Sequence, residues 1–153
     1  MKLTELGEQR CPMAQALGEI GDAWSLLILR EAFYGRRRFS EFVEHTEAQK
    51  TVVSARLKQL VGAGILERER YSEAPTRHHY VLTEKGRDLA GVMVMLTEWG
   101  RRWVDRDEPE VTLVHAPCEH DLRPQLQCAE CGDRVADGSI TARFSRHQTG
   151  SPG

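Results

Sequence analysis

The sequence predicts a mainly α (α+β) fold: four helices, a two-stranded ribbon, a long further helix and a small cysteine-rich appendage. Three observations carry this. Apolar residues recur at three- and four-residue spacing from Met13 to Val61 and again from Leu89 to Trp103. Between these stretches the period drops to two around a proline-bearing turn, as paired strands require. In the last third, Pro109, Pro117 and Pro124 interrupt any helix, and three of the four cysteines gather there.

The elements follow in order. Cys11-Pro12 opens the first helix, because proline suits the first helical turn, and Met13, Ala16, Leu17 and Ile20 share a face before Gly21 breaks it. Asp22 is placed to cap a second helix, on which Trp24, Leu27, Ile28 and Ala32 fall together until Tyr34-Gly35. Arg36, Arg37 and Arg38 precede a short third helix, Phe39 to Val43. After Thr46 and Glu47 a fourth runs from Lys50 to Gly62. Its inward stripe is Val53, Leu57, Leu60 and Val61, with Lys50, Thr51, Ser54, Ala55 and Lys58 on the outer side; Gly62 and Gly64 close it. Two helices joined by so short a turn form a helix-turn-helix, whose second helix can enter a DNA major groove.

Leu66, Arg68 and Arg70 then alternate with Glu67, Glu69 and Tyr71 as a strand does. Ser72 to Arg77, with Pro75, reads as a turn, and His79 to Leu82 as the return strand. A ribbon directly after a helix-turn-helix is a winged helix in outline. Thr83 caps a long helix whose apolar stripe is Leu89, Val92, Met93, Leu96, Trp99 and Trp103. So small a domain cannot cover it, so it is expected to be a dimerisation helix. The expected organisation is a domain over residues 11–106, an appendage over 107–140 and a frayed, disordered tail over 141–153, with no internal repeat.

Charge first speaks against a nucleic-acid partner and then for one. The 153 residues hold 21 Lys plus Arg against 23 Asp plus Glu, a formal net charge of −2. From Arg30 to Arg87, however, the count is 12 against 8, and from Glu108 onward it is 4 against 7. A basic middle and an acidic tail cancel in the total while each keeps its own field. No apolar run approaches the ~18 residues of a membrane span, and the N-terminus lacks a signal-peptide apolar region, so a cytoplasmic protein with no membrane partner is expected.

The residues suited to double-stranded DNA are Gln49, Lys50, Thr51, Ser54 and Lys58 on the fourth helix, Arg37 and Arg38 before the third, and Arg68, Arg70, Arg77 and His78 on the ribbon. Their ammonium, guanidinium, hydroxyl and amide groups match phosphates and base edges. The competing reading is an ordinary solvated basic face. Arg56 is set apart from this group, as a support expected to pair with Glu41 or Glu44. His78 and His79 are adjacent on a strand and so face opposite sides.

The order Cys11-Pro12-Met13, Ile20-Gly21-Asp22-Ala23-Trp24-Ser25-Leu26-Leu27-Ile28-Leu29-Arg30, Arg38-Phe39-Ser40-Glu41-Phe42, Leu57-Lys58-Gln59-Leu60-Val61-Gly62-Ala63-Gly64-Ile65-Leu66 and Tyr80-Val81-Leu82-Thr83-Glu84-Lys85-Gly86 resembles the HxlR-type winged helix-turn-helix transcriptional regulators. The resemblance covers about residues 11 to 104. It implies a homodimeric DNA-binding regulator with the fourth helix in the major groove and the wing at the flanking groove. Ala23, where many relatives place lysine, and Val52-Val53, where a leucine often sits, depart from the pattern without disturbing the fold. In some relatives a cysteine at the Cys11 position senses oxidants or electrophiles. A helix N-terminus can lower a thiol pKa, and the alternative is a thiol that packs a dimer.

The tail carries His115-x2-Cys118-x9-Cys128-x2-Cys131-Gly132. A Cys-x2-Cys-Gly turn aims two thiolates at one ion, so a structural Zn2+ held by His115, Cys118, Cys128 and Cys131 is expected, with His120 as rival fourth ligand. A reduced, metal-free set and a Cys128–Cys131 disulfide are the alternatives. No phosphate-binding glycine loop, Gly-x-Ser-x-Gly or His-Glu-x-x-His motif is present, so an enzyme is not expected. Trp24, Leu27, Leu96 and Trp99 are candidates to line an effector pocket, for a small molecule, at a dimer interface. A protein–protein adaptor, with the acidic appendage binding a partner, is the second functional reading.

Overall fold

The computed structural model describes residues 10–73, 76–104 and 111–143, and the chain falls into two compact units, Met1–Leu96 and Thr97–Gly153. The expected turn residue Pro75, Pro109 and most of the expected frayed tail lie outside the described residues.

In the first unit the order is α1 (Pro12–Ile20), α2 (Ala23–Phe33), α3 (Phe39–Thr46), α4 (Lys50–Gly62), β1 (Leu66–Glu73), β2 (Thr76–Leu82) and α5 (Glu84–Arg87). Each boundary has a local cause. Asp22 caps α2 by accepting the Ser25 N–H at 3.1 Å. Glu41, in the first turn of α3, reaches back to accept the N–H groups of Arg37 and Arg38 at 2.9 and 2.8 Å, which satisfies donors the helix leaves orphaned. Those two bonds, then the nearby guanidinium groups, hold its carboxyl below the usual range.

The core gathers Ile20 from α1, Ile28 and Leu29 from α2, Phe42 from α3, Val53, Leu57 and Leu60 from α4, and Ile65 and Leu66 after it. The inward side of α2 differs from the expected one. Ser25, Ile28, Leu29 and Glu31 are buried, whereas Trp24 is exposed and Leu27 half-buried. Glu31 enters the interior because Arg30 meets it at 2.8 Å and Arg36 at 4.0 Å, which compensates an otherwise costly buried charge. Arg56 pairs with Asp22 at 2.8 Å rather than with Glu41 or Glu44, and so ties α4 to the cap of α2.

β1 and β2 form an antiparallel ribbon running from Leu66↔Leu82 to Glu73↔Thr76, longer than the expected strands on both sides. At its end the chain turns tightly. Thr83 accepts the Gly86 N–H at 3.0 Å and donates its hydroxyl to the Gly64 carbonyl at 2.6 Å. A Cβ on Gly86 would collide with the Ile65 carbonyl oxygen, so only glycine lets α5 lie this close to the chain that leaves α4.

The single long helix expected after Thr83 is instead two helices. Thr83 caps only α5; Asp88 and Leu89 form a turn, tightened by a Leu89 N–H to Gly86 carbonyl bond of 3.1 Å, and α6 spans Ala90–Trp103. The expected apolar stripe divides accordingly. Leu89 and Met93 pack against the core, while Val92, Leu96, Trp99 and Trp103 stay exposed.

In the second unit, β3 (Val114–His115) pairs with β4 (His120–Asp121), and Gln127 bridges Arg134. Contrary to the sequence reading, this region holds a repeat with a 13-residue offset. Val114↔Asp121 becomes Gln127↔Arg134. The Leu122 N–H to Leu113 carbonyl bond becomes Val135 to Leu126. The positive φ of Glu119, 57°, becomes 77° at Gly132. Similarity between Leu113-Val114-His115-Ala116-Pro117-Cys118 and Leu126-Gln127-Cys128-Ala129-Glu130-Cys131 is too slight to be conspicuous as sequence.

Gly86→Ala is therefore expected to lower stability by about 1–3 kcal/mol through overpacking. Gly62→Ala, where an added methyl meets nothing within 4 Å, should raise it by about 0.4–1 kcal/mol. Denaturant titration of both variants checks the contrast. A second expectation concerns pH. Because the folded pKa of Glu41 lies below its ordinary value of 4.5, its stabilisation is complete above that value and is lost as pH falls through the folded pKa. Glu41→Gln should cost up to about 1 kcal/mol at pH 7, with the gap to the parent closing in acid.

Candidate nucleic-acid interface

The turn between α3 and α4 has three residues, Glu47, Ala48 and Gln49. Thr46 shapes it: its hydroxyl donates to the Phe42 carbonyl at 2.6 Å and accepts the Ala48 N–H at 3.4 Å. Ala48 is buried under the turn, and Glu47 takes a left-handed conformation, φ 55°. Burial of Val53, Leu57 and Leu60 then fixes the rotation of α4. Arg56 and Gln59 lock its flank, with an Arg56 Nη1 to Gln59 Oε1 bond of 3.2 Å and a Gln59 Nε2 to Glu19 carbonyl bond of 3.2 Å.

What this leaves outward is the expected set. Gln49, Lys50, Thr51, Ser54 and Lys58 are all exposed. No side chain caps the N-terminus of α4, so its first N–H groups and positive dipole end remain available to an anion. Among the described residues, neither lysine has a carboxylate partner within ion-pair distance.

The wing is fastened beside this helix. The Tyr80 N–H donates to the Arg37 carbonyl at 2.8 Å, and the Tyr80 ring meets Phe42 edge-on at 6.2 Å. A bulge at Tyr71 interrupts the ribbon between Arg70 and Ser72. Tyr71 stacks on His79 at 4.2 Å and carries the Arg38 guanidinium 5.8 Å from its ring centre. Arg37 and Arg38 are thereby held against the ribbon. Arg68 contacts His78 at 3.1 Å, while Arg70 and Arg77 are exposed. His78 and His79 make these contacts on opposite sides of the ribbon, as adjacent strand residues must. Desolvation, then Arg68 and Arg70, push the His78 pKa down, so the wing's charge near neutral pH rests on its arginines. Sequence reasoning missed Tyr71, because it meets His79 from a bulge that has no register partner and that strand alternation does not reveal.

The remaining candidates are less concentrated. Cys11 is the exposed N-cap of α1 and makes no capping bond with its side chain. Trp24 on α2 and Leu96 and Trp99 on one face of α6 are exposed, and Leu27 is half-buried. In the tail the sulfur and nitrogen donors come together two by two: His115 Nδ1 lies 3.2 Å from Cys118 Sγ, and Cys128 Sγ accepts from the N–H groups of Cys131 and Glu130 and from the Cys131 thiol, which lowers its pKa. Among the described residues no three His, Cys, Asp or Glu are grouped closely enough to hold a metal ion. His120 turns its Nδ1 to the Cys118 carbonyl at 2.6 Å. None of the described helices is long and apolar enough to cross a membrane.

The comparisons agree with this geometry. The model of the HxlR-like helix-turn-helix family matches residues 19–108. The HTH-type transcriptional regulator Rv3095 of Mycobacterium tuberculosis is 40% identical over 130 residues, 84% of this chain and 82% of its own. A regulator of the same type from Synechocystis is 32% identical over 105 residues, 68% of this chain and 78% of its own. Among solved structures, PA1607, described as a candidate transcription factor, superposes with a TM-score of 0.81 at 34% identity, over 94% of this chain and 99% of that one. The redox regulator HypR in its oxidized form gives 0.58 at 32% identity, over 63% of this chain and 99% of its own. These relatives are named as regulators, and residues 19–108 place this chain among them: it belongs to the HxlR-like helix-turn-helix family and is a DNA-binding transcriptional regulator.

Proposed function

We propose that the chain works as a homodimer on an inverted-repeat operator, each copy laying α4 in the major groove of one half-site and its wing along the adjoining backbone. The observation that carries this is the division of α4. On its inner side Val53, Leu57 and Leu60 are buried and Val52 and Val61 pack half-buried against the core, Arg56 and Gln59 are bonded on its flank, and Gln49, Lys50, Thr51, Ser54 and Lys58 face solvent. A face kept polar, short-chained at Thr51, Ser54 and Ala55, and bounded by two lysines suits close approach to base edges between two phosphate backbones. Arg37, Arg38, Arg68, Arg70, Arg77 and His78 extend the basic surface along the ribbon.

Dimerisation rests on α6. Val92, Leu96, Trp99 and Trp103 are 51%, 48%, 58% and 67% exposed, an apolar stripe of the kind that marks an interaction surface. Two copies joined there would present two α4 helices to half-sites about one or two DNA turns apart.

Two measurements test the reading. Binding to its best duplex should fall steeply with salt, and replacing Lys50 and Lys58 by alanine should weaken it and flatten the salt slope by about 1 for each phosphate contact removed. Thermal melting should show the variant still folded; an unchanged affinity would remove α4 from the interface. Light scattering should give twice the chain mass for the parent. Leu96→Glu with Trp99→Glu should give single chains that bind a half-site weakly, and a monomeric parent would overturn the dimer.

A further inference from the structure

The second unit poses a physical problem of its own. None of the residues described between 111 and 143 is buried, yet the segment folds into two successive turns of one design. Without an apolar core, so small a unit needs a covalent or metal staple to offset the entropy of ordering it. The donors it offers sit at matching places in the two turns. His115 and Cys118 occupy the first; Cys128 and Cys131 occupy the second, 13 residues on. In each, the residue after the second donor takes positive φ, and the flanking leucine carbonyl closes the turn with a backbone bond of 2.7 or 2.9 Å. The repeat keeps its backbone form, a leucine (Leu113, Leu126), an alanine (Ala116, Ala129) and, in each copy, one pair of metal-ligating side chains at the same two positions of the turn.

The first pair is already near ligand spacing. With Zn–N near 2.0 Å and Zn–S near 2.3 Å, adjacent vertices of a tetrahedron are about 3.5 Å apart. His115 Nδ1 and Cys118 Sγ are 3.2 Å apart. In the second pair a Gly132 N–H to Cys128 carbonyl bond of 2.9 Å closes the turn that carries both cysteines, the counterpart of the Glu119 N–H to His115 carbonyl bond of 2.8 Å in the first. A disulfide framework fits less well. Three cysteines leave one unpaired, and His115 has no part in one. His120 is the weaker fourth donor, because its Nδ1 faces the Cys118 carbonyl.

We infer that His115, Cys118, Cys128 and Cys131 form a structural Cys3His site for one Zn2+, the ion drawing the two turns together across Arg123, Pro124 and Gln125. The three thiols release their protons to solvent as the ion binds, leaving a site with a net charge of −1 and no open position for substrate. This inference does not depend on how the first unit meets DNA.

The test uses the full chain, purified under reductant with zinc present and analysed for metal. One zinc per chain is expected. Adding Co2+ to the chelator-treated, reduced chain should produce intense thiolate-to-metal absorption with the visible bands of a tetrahedral ion. That measurement needs no variant, so it stands even where a substitution unfolds the tail. His115→Ala should weaken Zn2+ binding by more than about tenfold, and His120→Ala should leave it unchanged. Chelation should expose residues 111–135 to protease while α1–α5 remain folded. Well under one zinc per chain, a cobalt spectrum without thiolate bands, or a Cys128–Cys131 disulfide in protein kept under reductant would each overturn the site. Loss on His120→Ala in place of His115→Ala would overturn the ligand assignment.

Discussion

Everything in the first unit depends on how α4 is seated. Val53, Leu57 and Leu60 are 0%, 1% and 0% exposed, packed with Ile28, Leu29, Phe42 and Leu66, and a helix with that stripe buried has a single permitted rotation about its axis. Burial of three large aliphatic side chains contributes several kcal/mol, at about 1.5–3 kcal/mol each, far more than any exposed ion pair can supply. The outward direction of Lys50, Thr51, Ser54 and Lys58 is thus a consequence of core packing. The polar contacts refine it: Arg56 to Asp22 and Gln59 to Glu19 stop α4 from rocking, and the left-handed Glu47 lets the chain turn into it.

The same seating carries the wing. α4 ends at Gly62, and Ile65 and Leu66 are buried before the ribbon leaves the body. Gly86 permits α5 to pack against the Ile65 carbonyl, while Thr83 and Lys85 bond to the Gly64 and Ala63 carbonyls. At the other edge Arg37 holds β2 through Tyr80. α4, the ribbon and the arginines of the α2–α3 connection are held beside one another because one cluster of aliphatic residues anchors all three.

Much of this was legible in the sequence, and the misses are informative. The limits of α4 and its inward and outward residues follow from a clean 3.6-residue period, and the Asp22 cap from a single carboxylate after Gly21. The α2 face was misread because its apolar residues nearly encircle the helix, so period alone cannot say that Glu31 goes in and Trp24 stays out; that depends on Arg30 and Arg36 meeting Glu31. Thr83 to Trp103 reads as one helix because nothing in Asp88-Leu89 is a helix breaker; docking of α5 through Gly86 interrupts it. Arg56 found Asp22 instead of Glu41 because Glu41 is engaged by backbone N–H groups. The tail's repeat was invisible because it lives in hydrogen bonds and φ angles, and most of its side chains differ.

The whole-chain charge balance conceals a basic middle and an acidic tail, and the proposed role of the middle is to read DNA as a pair. Selection of bound fragments from the source genome, followed by hydroxyl-radical footprinting of the best one, tests that claim most directly. A homodimer seated on two half-sites gives an inverted repeat with two equivalent protected patches on one face of the duplex, spaced by about one or two helical turns. A single protected patch on a sequence without two-fold symmetry, or fragments recovered with no shared sequence at all, would contradict it.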